Sequence, residues 1–170
     1  MGIYVRIVCI LHLREGNVKH KIIFFDVDGT ITSYKDGTIS QSTKTAIKQL
    51  LDQGFKVVAA TGRPLSMCNE LAEIGIETFI TANGAYVTHQ GNCIHKIVLP
   101  NETANLFSEF ALEQQNALTY YSDTLHMNEV QSPKIQQALY ETLRLQEFLP
   151  INEDVHLKEI YLLCLLADDV

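Results

Sequence analysis

Several features that would assign a partner directly are missing from this chain of 170 residues. It has no basic run: the densest cluster is Lys19-His20-Lys21, and the formal net charge is −7. Because a surface that binds nucleic acid needs clustered Lys and Arg, this composition argues against a nucleic-acid partner. No apolar run approaches the length of a transmembrane helix, so we expect no membrane association.

The cysteines and histidines also lack the spacing of a disulfide framework or a metal site. Cys9, Cys68, Cys93 and Cys164 are scattered and include no CxxC pair. The six histidines form no HExxH motif. We therefore interpret the cysteines as reduced thiols, which predicts a cytoplasmic protein without a zinc site.

The first 17 residues do not resemble a signal peptide. MGIYVRIVCILHL is apolar, but Arg6 interrupts it and no small-residue cleavage site follows. Two interpretations of residues 1–17 stay open. They form an additional strand, or they are a non-native extension because translation starts at Val18.

Residues 18–84 contain three predicted strands with helical segments between them. KIIFFDVD, FKVVAATGRP and ETFITANGA are short apolar runs with many β-branched and aromatic residues, as in buried parallel strands. Ser40 or Ser42 is expected to cap the helix after the first strand, and Pro64 to begin the next helix. Right-handed crossovers bring the carboxyl ends of such strands to one edge, where ligands bind. The predicted fold class is therefore α/β, with a Rossmann-like, parallel, three-layer core.

The pattern changes after residue 84. AYVTHQGNCIHKIVL alternates around Gly91-Asn92 like a hairpin, 102–115 and 133–148 have helical spacing, and LTYYS and EIYLLCLLA resemble strands. We assign residues 85–170 to an inserted α+β module. Four polar residues of this module are candidates for lining a pocket: Tyr120, Tyr121, His126 and Asn128. The alternative, which we favour, is that the tyrosines belong to the core and the histidine lies on the surface.

FFDVDGT places two carboxylates at the end of a buried strand. Because side chains alternate along a strand, Asp26 and Asp28 should project to one face and Val27 to the other. Two carboxylates about 5 Å apart repel by roughly 3 kcal/mol at an effective dielectric near 20, and a divalent cation removes that cost. Oxygen ligands at a strand end suit Mg²⁺. A calcium loop is excluded by register, because its first and last ligands would be Phe24 and Lys35.

The ends of the other two strands carry candidate phosphate ligands. Thr61 ends the second strand, and the amides of Gly62 and Arg63 follow where a helix is expected, which is a typical anion-binding position. Asn83 ends the third strand. Taken alone, TGRP favours a capping threonine and a glycine turn over a phosphate site, but its position one helical crossover after the acidic strand favours the phosphate site. Asn83-Gly84 is equally compatible with a ligand position and with a simple turn.

In this order, FFDVDGT, AATGRP and ITANGA resemble the haloacid dehalogenase superfamily of phosphatases, and more narrowly its Cof-type sugar-phosphatase branch. The resemblance covers most of residues 21–170. It implies that Asp26 is the nucleophile, which forms an aspartyl-phosphate, and that Asp28 is the general acid and base. It implies Mg²⁺ as cofactor, held by the Asp26 side chain and the Asp28 backbone carbonyl. The implied substrate is a small phosphorylated metabolite such as a sugar phosphate.

The same resemblance assigns the surroundings of the two acids. Phosphate or substrate binding is predicted for Gly29, Thr30, Thr61, Gly62, Arg63 and Asn83. Residues 31–39 would be a mobile flap beside the site. Residues 85–170 would be the cap that closes over the substrate and selects it.

The chain departs from the family pattern near its end. The family has a later lysine and a later GD-x-x-x-D motif, and neither is convincingly present. LLCLLADDV imitates the acidic motif, but Lys158 is only about ten residues away, too close for the helix and strand that separate the two motifs. We therefore interpret EIYLLCLLA as a cap strand, and Asp168 and Asp169 as solvated turn residues.

Three expectations follow from this departure. The chain ends inside its cap, and its turnover is far below that of a complete family member. The first core strand keeps one unpaired edge, through which a homodimer could form. The alternative function is a non-catalytic remnant that binds Mg²⁺ or phosphate, or that acts as an interaction module.

Overall fold

A computed structural model describes residues 8–15, 18–151 and 159–167, with side chains from residue 21 onward. The chain forms two compact units. The first comprises the described residues up to Gly62 together with Met67–His95, and the second comprises Arg63–Ser66 together with the described residues from Lys96 onward. None of the described helices is both long enough and apolar enough to cross a bilayer.

A six-stranded sheet dominates the first unit, with its strands in sequence order from one edge to the other. The strands are β1 (Val8–Glu15), β2 (Val18–Asp26), β3 (Lys56–Ala60), β4 (Thr78–Thr81), β5 (Tyr86–His89) and β6 (Asn92–Lys96). β2, β3 and β4 run parallel, with Asp26 opposite Ala60 and Ala60 opposite Ile80. The carboxyl ends of the three predicted strands therefore meet at one edge of an α/β sheet, which confirms the predicted fold class.

The edge of β2 is covered by the N-terminal strand. β1 pairs antiparallel with β2 along its length, from Val8 opposite Phe25 to Glu15 opposite Val18. This pairing confirms the extra-strand interpretation for residues 8–15. It also shows that the prediction of an unpaired edge on β2 is wrong, because β1 satisfies the backbone groups that an open edge would offer to a second copy.

The helix between β2 and β3, α1 (Gln41–Asp52), begins where the sequence predicts. The Ser40 hydroxyl accepts a hydrogen bond from the amide of Thr43 at 3.1 Å, so Ser40 rather than Ser42 is the cap. Ile47 is buried on its inner face. After the helix ends, Gly54 adopts a φ of +77°, a conformation that glycine tolerates at helix ends.

The helix predicted from Pro64 is shorter than expected. Leu65–Met67 forms a 3₁₀ turn, and α2 spans only Asn69–Glu73, with no side chain capping its start. Cys68 and Leu71 are buried, whereas Ala72 is exposed. Burying two residues one turn apart does not require a longer helix.

The hairpin of β5 and β6 extends the sheet of the first unit. β5 pairs antiparallel with β4, with Thr81 opposite Tyr86, after a reversal in which Asn83 and Gly84 both have positive φ. The second unit accordingly starts near Lys96, whereas the sequence predicts an inserted module from residue 85. Period-two alternation predicts a hairpin but does not say which sheet it joins.

The second unit contains a three-stranded antiparallel sheet in the order β8-β7-β9. Its elements are α3 (Asn101–Glu113), β7 (Ala117–Tyr121), β8 (Leu125–Met127), α4 (Pro133–Leu143) and β9 (Leu162–Leu166). α4 ends before the predicted Phe148, because Arg144 takes a left-handed conformation with φ +59°. β9 pairs with β7, so its interpretation as a strand of this module is confirmed. Asp168 and Asp169 lie outside the described residues.

Candidate active site

The two acids of FFDVDGT stand at the carboxyl end of β2. Asp26 is the last residue of the strand, and both Asp26 and Asp28 are exposed. Val27 between them is fully buried, with none of its surface accessible. This alternation is what a strand entering a turn imposes on neighbouring side chains, and it leaves both carboxylates accessible to a ligand.

The backbone after Asp28 turns tightly around one carbonyl group. The Val27 carbonyl oxygen accepts hydrogen bonds from the amides of Thr30, Ile31 and Thr32 at 3.2, 3.0 and 2.9 Å. The Thr32 hydroxyl donates to the same oxygen at 3.1 Å. Gly29 has a φ of +78° in this turn, where a side chain would be strained. The turn brings the Thr30 hydroxyl to 3.4 Å from Asp26 Oδ2.

Thr61, which directly follows β3, lies beside the two acids. Its amide donates to the Ile80 carbonyl oxygen at 2.8 Å, which fixes the threonine between β2 and β4. Its hydroxyl oxygen lies 3.5 Å from Asp28 Oδ2. This contact is at the upper limit of hydrogen-bond length. The side chain of Thr61 is largely buried, so its position depends on packing rather than on solvent.

Asn83 completes this edge from the end of β4. Its amide donates to the Thr61 carbonyl oxygen at 3.3 Å, and its own backbone is left-handed, with φ +55°. A Cβ atom added at Gly62 would lie 2.9 Å from Asn83 Oδ1. Gly62 is therefore the residue that allows Asn83 to approach Thr61 closely. The turn interpretation and the site interpretation of Asn83 are both compatible with this arrangement.

The structure thus gathers Asp26, Asp28, Gly29, Thr30, Thr61, Gly62 and Asn83 at one edge of the first unit. Arg63 is buried and belongs to the second unit. Its assignment as a phosphate ligand stays a prediction.

The arrangement fits a magnesium ion that is shared with a phosphate group. Among the residues that the structure describes, no group of three or more His, Cys, Asp or Glu side chains is placed to hold a metal ion. Mg²⁺ needs few protein ligands, because it keeps several waters and binds substrate phosphates directly. Asp26 and Asp28 are exposed carboxylates of the type it prefers.

Residues 31–39, the predicted flap, contain two residues that the sequence assigned no role in the site, although Asp36-Gly37 predicted a turn there. Asp36 Oδ1 accepts hydrogen bonds from the amide and hydroxyl of Thr38 at 3.1 and 2.8 Å. These bonds, together with one from Ser33, hold the pKa of Asp36 below its usual value. The ring of Tyr34 lies so close to Gly29 that an added Cβ there would be 1.8 Å from Tyr34 Cε2. The Asp-Gly-Thr spacing was an available signal for the turn, whereas nothing local predicts the ring contact.

Most of the polar residues considered as pocket residues in the second unit are part of its core. Tyr120 and Tyr121 are buried, and burial raises the pKa of Tyr121 to about 12. The buried Asn128 accepts from the Leu118 amide at 3.1 Å and donates to the Asn116 carbonyl oxygen at 2.9 Å.

His126, the fourth of these residues, is only partly buried. One of its ring nitrogens lies 3.2 Å from the Thr124 hydroxyl. The buried tyrosines therefore support the core interpretation, and no pocket is needed to explain their burial.

Comparison with known proteins shows which family the chain is similar to. Residues 23–169 match the family model of the haloacid dehalogenase-like hydrolases. The chain is 31% identical to the Bacillus subtilis (strain 168) protein YkrA over 153 residues, which cover 88% of this chain and 58% of YkrA.

Two solved structures are similar in fold. BT1666 of Bacteroides thetaiotaomicron, a phosphatase of the haloalkanoate (HAD) enzyme superfamily, has a TM-score of 0.72 and 27% identity over 92% of this chain and 59% of its own. The HAD subclass IIB sugar phosphatase BT4131 has a TM-score of 0.67 and 26% identity over 82% of this chain and 55% of its own. The chain therefore spans between 55% and 59% of the length of these relatives.

Proposed function

The chain belongs to the haloacid dehalogenase-like hydrolase family, and we propose that its first unit carries the reaction centre of a phosphatase that acts on phosphate monoesters. The resemblance drawn from the three motifs is confirmed by the family match and by the fold. One observation carries the proposal: the Thr61 hydroxyl lies 3.5 Å from the Asp28 carboxylate, at the end of the strand beside β2. A phosphoryl group bound there would face both acids and a hydroxyl donor.

In the first proposed step, an oxygen of the Asp26 carboxylate attacks phosphorus in line with the ester bond. A P–O bond to Asp26 forms, the bond to the leaving oxygen breaks, and Asp28 gives that oxygen its proton. In the second step, Asp28 takes a proton from water, and the water oxygen attacks phosphorus. The bond to Asp26 then breaks, so that orthophosphate leaves and both acids return to their starting states.

The surrounding residues would orient and neutralise the phosphoryl group. Thr61 and Thr30 place hydroxyl donors beside the two acids, and such donors are worth most where charge develops in the transition state. Asp26 and the Asp28 backbone carbonyl would hold Mg²⁺, which when bound supplies positive charge for the phosphoryl oxygens. For the substrate we propose a small sugar phosphate, supported by the likeness to the sugar phosphatase BT4131.

We propose that the second unit acts as a cap that selects the substrate. Its α+β composition and its own buried core support a separate module. We also propose a cytoplasmic location, on the basis of the cysteine spacing and the free thiols of Cys68, Cys93 and Cys164.

The test is hydrolysis of p-nitrophenyl phosphate with Mg²⁺ by the wild-type chain and by Asp26→Asn. We expect Mg²⁺-dependent turnover in the wild type. Asp26→Asn should abolish it. Asp52→Asn, a change of an exposed acid at the end of α1, is the matched control and should have no effect. Turnover that persists in Asp26→Asn contradicts the proposal.

A second candidate is binding of Mg²⁺ or phosphate without turnover. It is favoured by the absence of a third metal-binding side chain beside the two acids within the described part of the chain. Calorimetry separates the two candidates: Mg²⁺-dependent phosphate binding that is lost in Asp26→Ala, in a chain with no measurable hydrolysis, supports the second one.

A further inference from the structure

The segment between β2 and α1 is folded into a latched turn. The Ser33 amide donates to the Thr38 carbonyl oxygen at 2.8 Å, and the Gly37 amide donates to the Ser33 carbonyl oxygen at 2.9 Å. Asp36 closes the turn from inside through its two hydrogen bonds with Thr38. Tyr34 is the only aromatic residue of this turn, and the hydrogen bonds among the residues around it restrict its backbone.

The turn sets the Tyr34 ring against the loop that carries the catalytic acids. An added Cβ at Gly29 would lie 1.8, 2.2 and 2.6 Å from three carbons of that ring. The ring therefore lies against Gly29, between Asp28 and Thr30. The side chain is still 50% exposed. This half-exposed aromatic ring forms a wall beside the proposed reaction centre.

A cavity of about 300 Å³ lies next to this wall, entirely within the first unit. Its lining combines Gly29, Thr30 and Tyr34 with the hydroxyl-bearing residues Ser33, Thr38 and Ser40. The volume is at the lower end of the range for small-molecule sites, about 300–1,000 Å³. Aromatic rings pack against the C–H faces of sugar rings, and hydroxyl groups pair with sugar hydroxyls, so the lining suits a carbohydrate better than an apolar or charged group.

We propose that Tyr34 is a specificity-determining residue, which packs against the ring of the sugar on the leaving-group side of the phosphate ester. The inference rests on the proposed phosphatase function and adds to it a position in the flap that favours ring-bearing substrates over acyclic ones. The phosphate would lie over Asp26, Asp28 and Thr61, and the sugar would extend past Thr30 toward the Tyr34 ring.

The test compares three probes by titration calorimetry with Mg²⁺: orthophosphate, sn-glycerol 3-phosphate and glucose 6-phosphate. All proteins carry Asp28→Asn, which prevents hydrolysis by removing the proposed proton donor and base. It keeps both proposed Mg²⁺ ligands, the Asp26 carboxylate and the backbone carbonyl of residue 28. Orthophosphate reports the phosphate site alone, and the ratio of the two ester affinities isolates the sugar ring. We expect glucose 6-phosphate to bind about threefold to tenfold more tightly than glycerol 3-phosphate.

In this background, Tyr34→Ala should reduce the ratio to about one and leave orthophosphate affinity unchanged, which also shows that the protein is folded. Tyr34→Phe should keep the ratio, because the ring is retained. Tyr140→Ala is the matched control, since Tyr140 is 46% exposed and lies on α4 of the other unit. An equal ratio in Tyr34→Ala and its parent, or no ring preference in the parent, overturns the inference but leaves the phosphatase proposal standing. Failure of all three probes to bind contradicts both.

Discussion

The hydroxyl oxygen of Thr61 lies 3.5 Å from Oδ2 of Asp28, although 33 positions separate the two residues in sequence. The contact exists because β2 and β3 are parallel neighbours in register, with Asp26 opposite Ala60. A residue just after each strand then reaches the same point beyond the sheet edge. The relationship joins a candidate proton donor to a candidate phosphate ligand, and each can be changed separately.

Removing the Thr61 hydroxyl should reduce phosphate affinity more than it reduces the stability of the fold. Thr61→Val keeps the shape of the side chain but has no donor for Asp28 or for a phosphate oxygen, whereas Thr61→Ser keeps the donor. We expect Thr61→Val to lower orthophosphate affinity by about tenfold to a hundredfold, the value of a hydrogen bond to a charged group. Calorimetry with Mg²⁺ measures the effect. Equal losses in the valine and serine variants would indicate a packing role instead.

Replacing Gly29 by alanine should destabilise the fold for two reasons that can be measured separately. Gly29→Ala must keep a φ of +78° and must displace the Tyr34 ring, which lies 1.8 Å from the new Cβ. Gly54 has nearly the same φ, +77°, but nothing within 4 Å of an added Cβ. Urea denaturation should therefore show a loss of about 1–2 kcal/mol for Gly54→Ala and a further loss of about 1–3 kcal/mol for Gly29→Ala.

The double variant Gly29→Ala, Tyr34→Ala separates these contributions. It removes the steric clash but keeps the positive φ, so its cost relative to Tyr34→Ala should match that of Gly54→Ala. If the clash contributes nothing, Gly29→Ala will already match Gly54→Ala in the presence of the tyrosine.

The stability that the hydrogen bonds of Asp36 contribute to the turn should decrease at acidic pH. Hydrogen bonds from the Thr38 amide, the Thr38 hydroxyl and Ser33 lower the pKa of Asp36 from its ordinary value of 3.8. A carboxyl group with a lowered folded-state pKa adds stability that is complete above the unfolded-state pKa and is lost as pH falls through the folded-state pKa. The stability difference between wild type and Asp36→Ala should therefore be constant at neutral pH and shrink below about pH 3.8.

Denaturation at a series of pH values checks the prediction for Asp36. Thr38→Val removes one of the hydrogen bonds to the carboxylate, so the folded-state pKa of Asp36 is lowered less. In that variant the difference should be smaller and its loss should be complete at a higher pH. A difference between wild type and Asp36→Ala that stays the same down to pH 3 would contradict the latch.

Short-range patterns were sufficient to predict the part of the site that lies on the strands. Period-two alternation placed Asp26 and Asp28 on the exposed side of a buried Val27, and the structure shows that burial pattern. The right-handed crossover rule gave the parallel neighbours that bring Thr61 to Asp28. Both inferences depend only on strand geometry, which a sequence expresses within a few residues.

Features that depend on long-range pairing were not predictable in the same way. The edge of β2 looked open because no local signal says that residues 8–15 fold back onto it. The hairpin of β5 and β6 was recognised, but alternation does not identify the sheet that it extends. The contact of Tyr34 with Gly29 requires the exact path of the turn between them, which is fixed by backbone hydrogen bonds to Val27 and by the Asp36 latch.

The second unit should lose stability in alkali because of a buried phenol. Burial, with a smaller effect from the neighbouring Cys164, raises the pKa of Tyr121 from 10.0 to about 12. Between these values the unfolded chain has released the phenolic proton and the folded chain has not. Rising pH therefore favours unfolding, and the stability contributed below pH 10 is lost as pH rises through the folded-state pKa. The loss amounts to about 1.4 kcal/mol per pH unit, or roughly 2–3 kcal/mol in total.

Tyr121→Phe removes this proton and should flatten the fall in stability between about pH 10 and pH 12, measured by urea denaturation relative to wild type. The variant will be less stable near neutral pH because it loses the hydrogen bond between the phenol and the Thr119 side chain, so the comparison must be made on the slope. Tyr120, whose pKa burial also raises although its hydroxyl donates to Ser108 at 3.1 Å, should contribute in the same direction. If wild type and Tyr121→Phe lose stability in parallel, Tyr121 ionises as readily in the folded chain as in the unfolded one, and its burial does not control the alkaline transition.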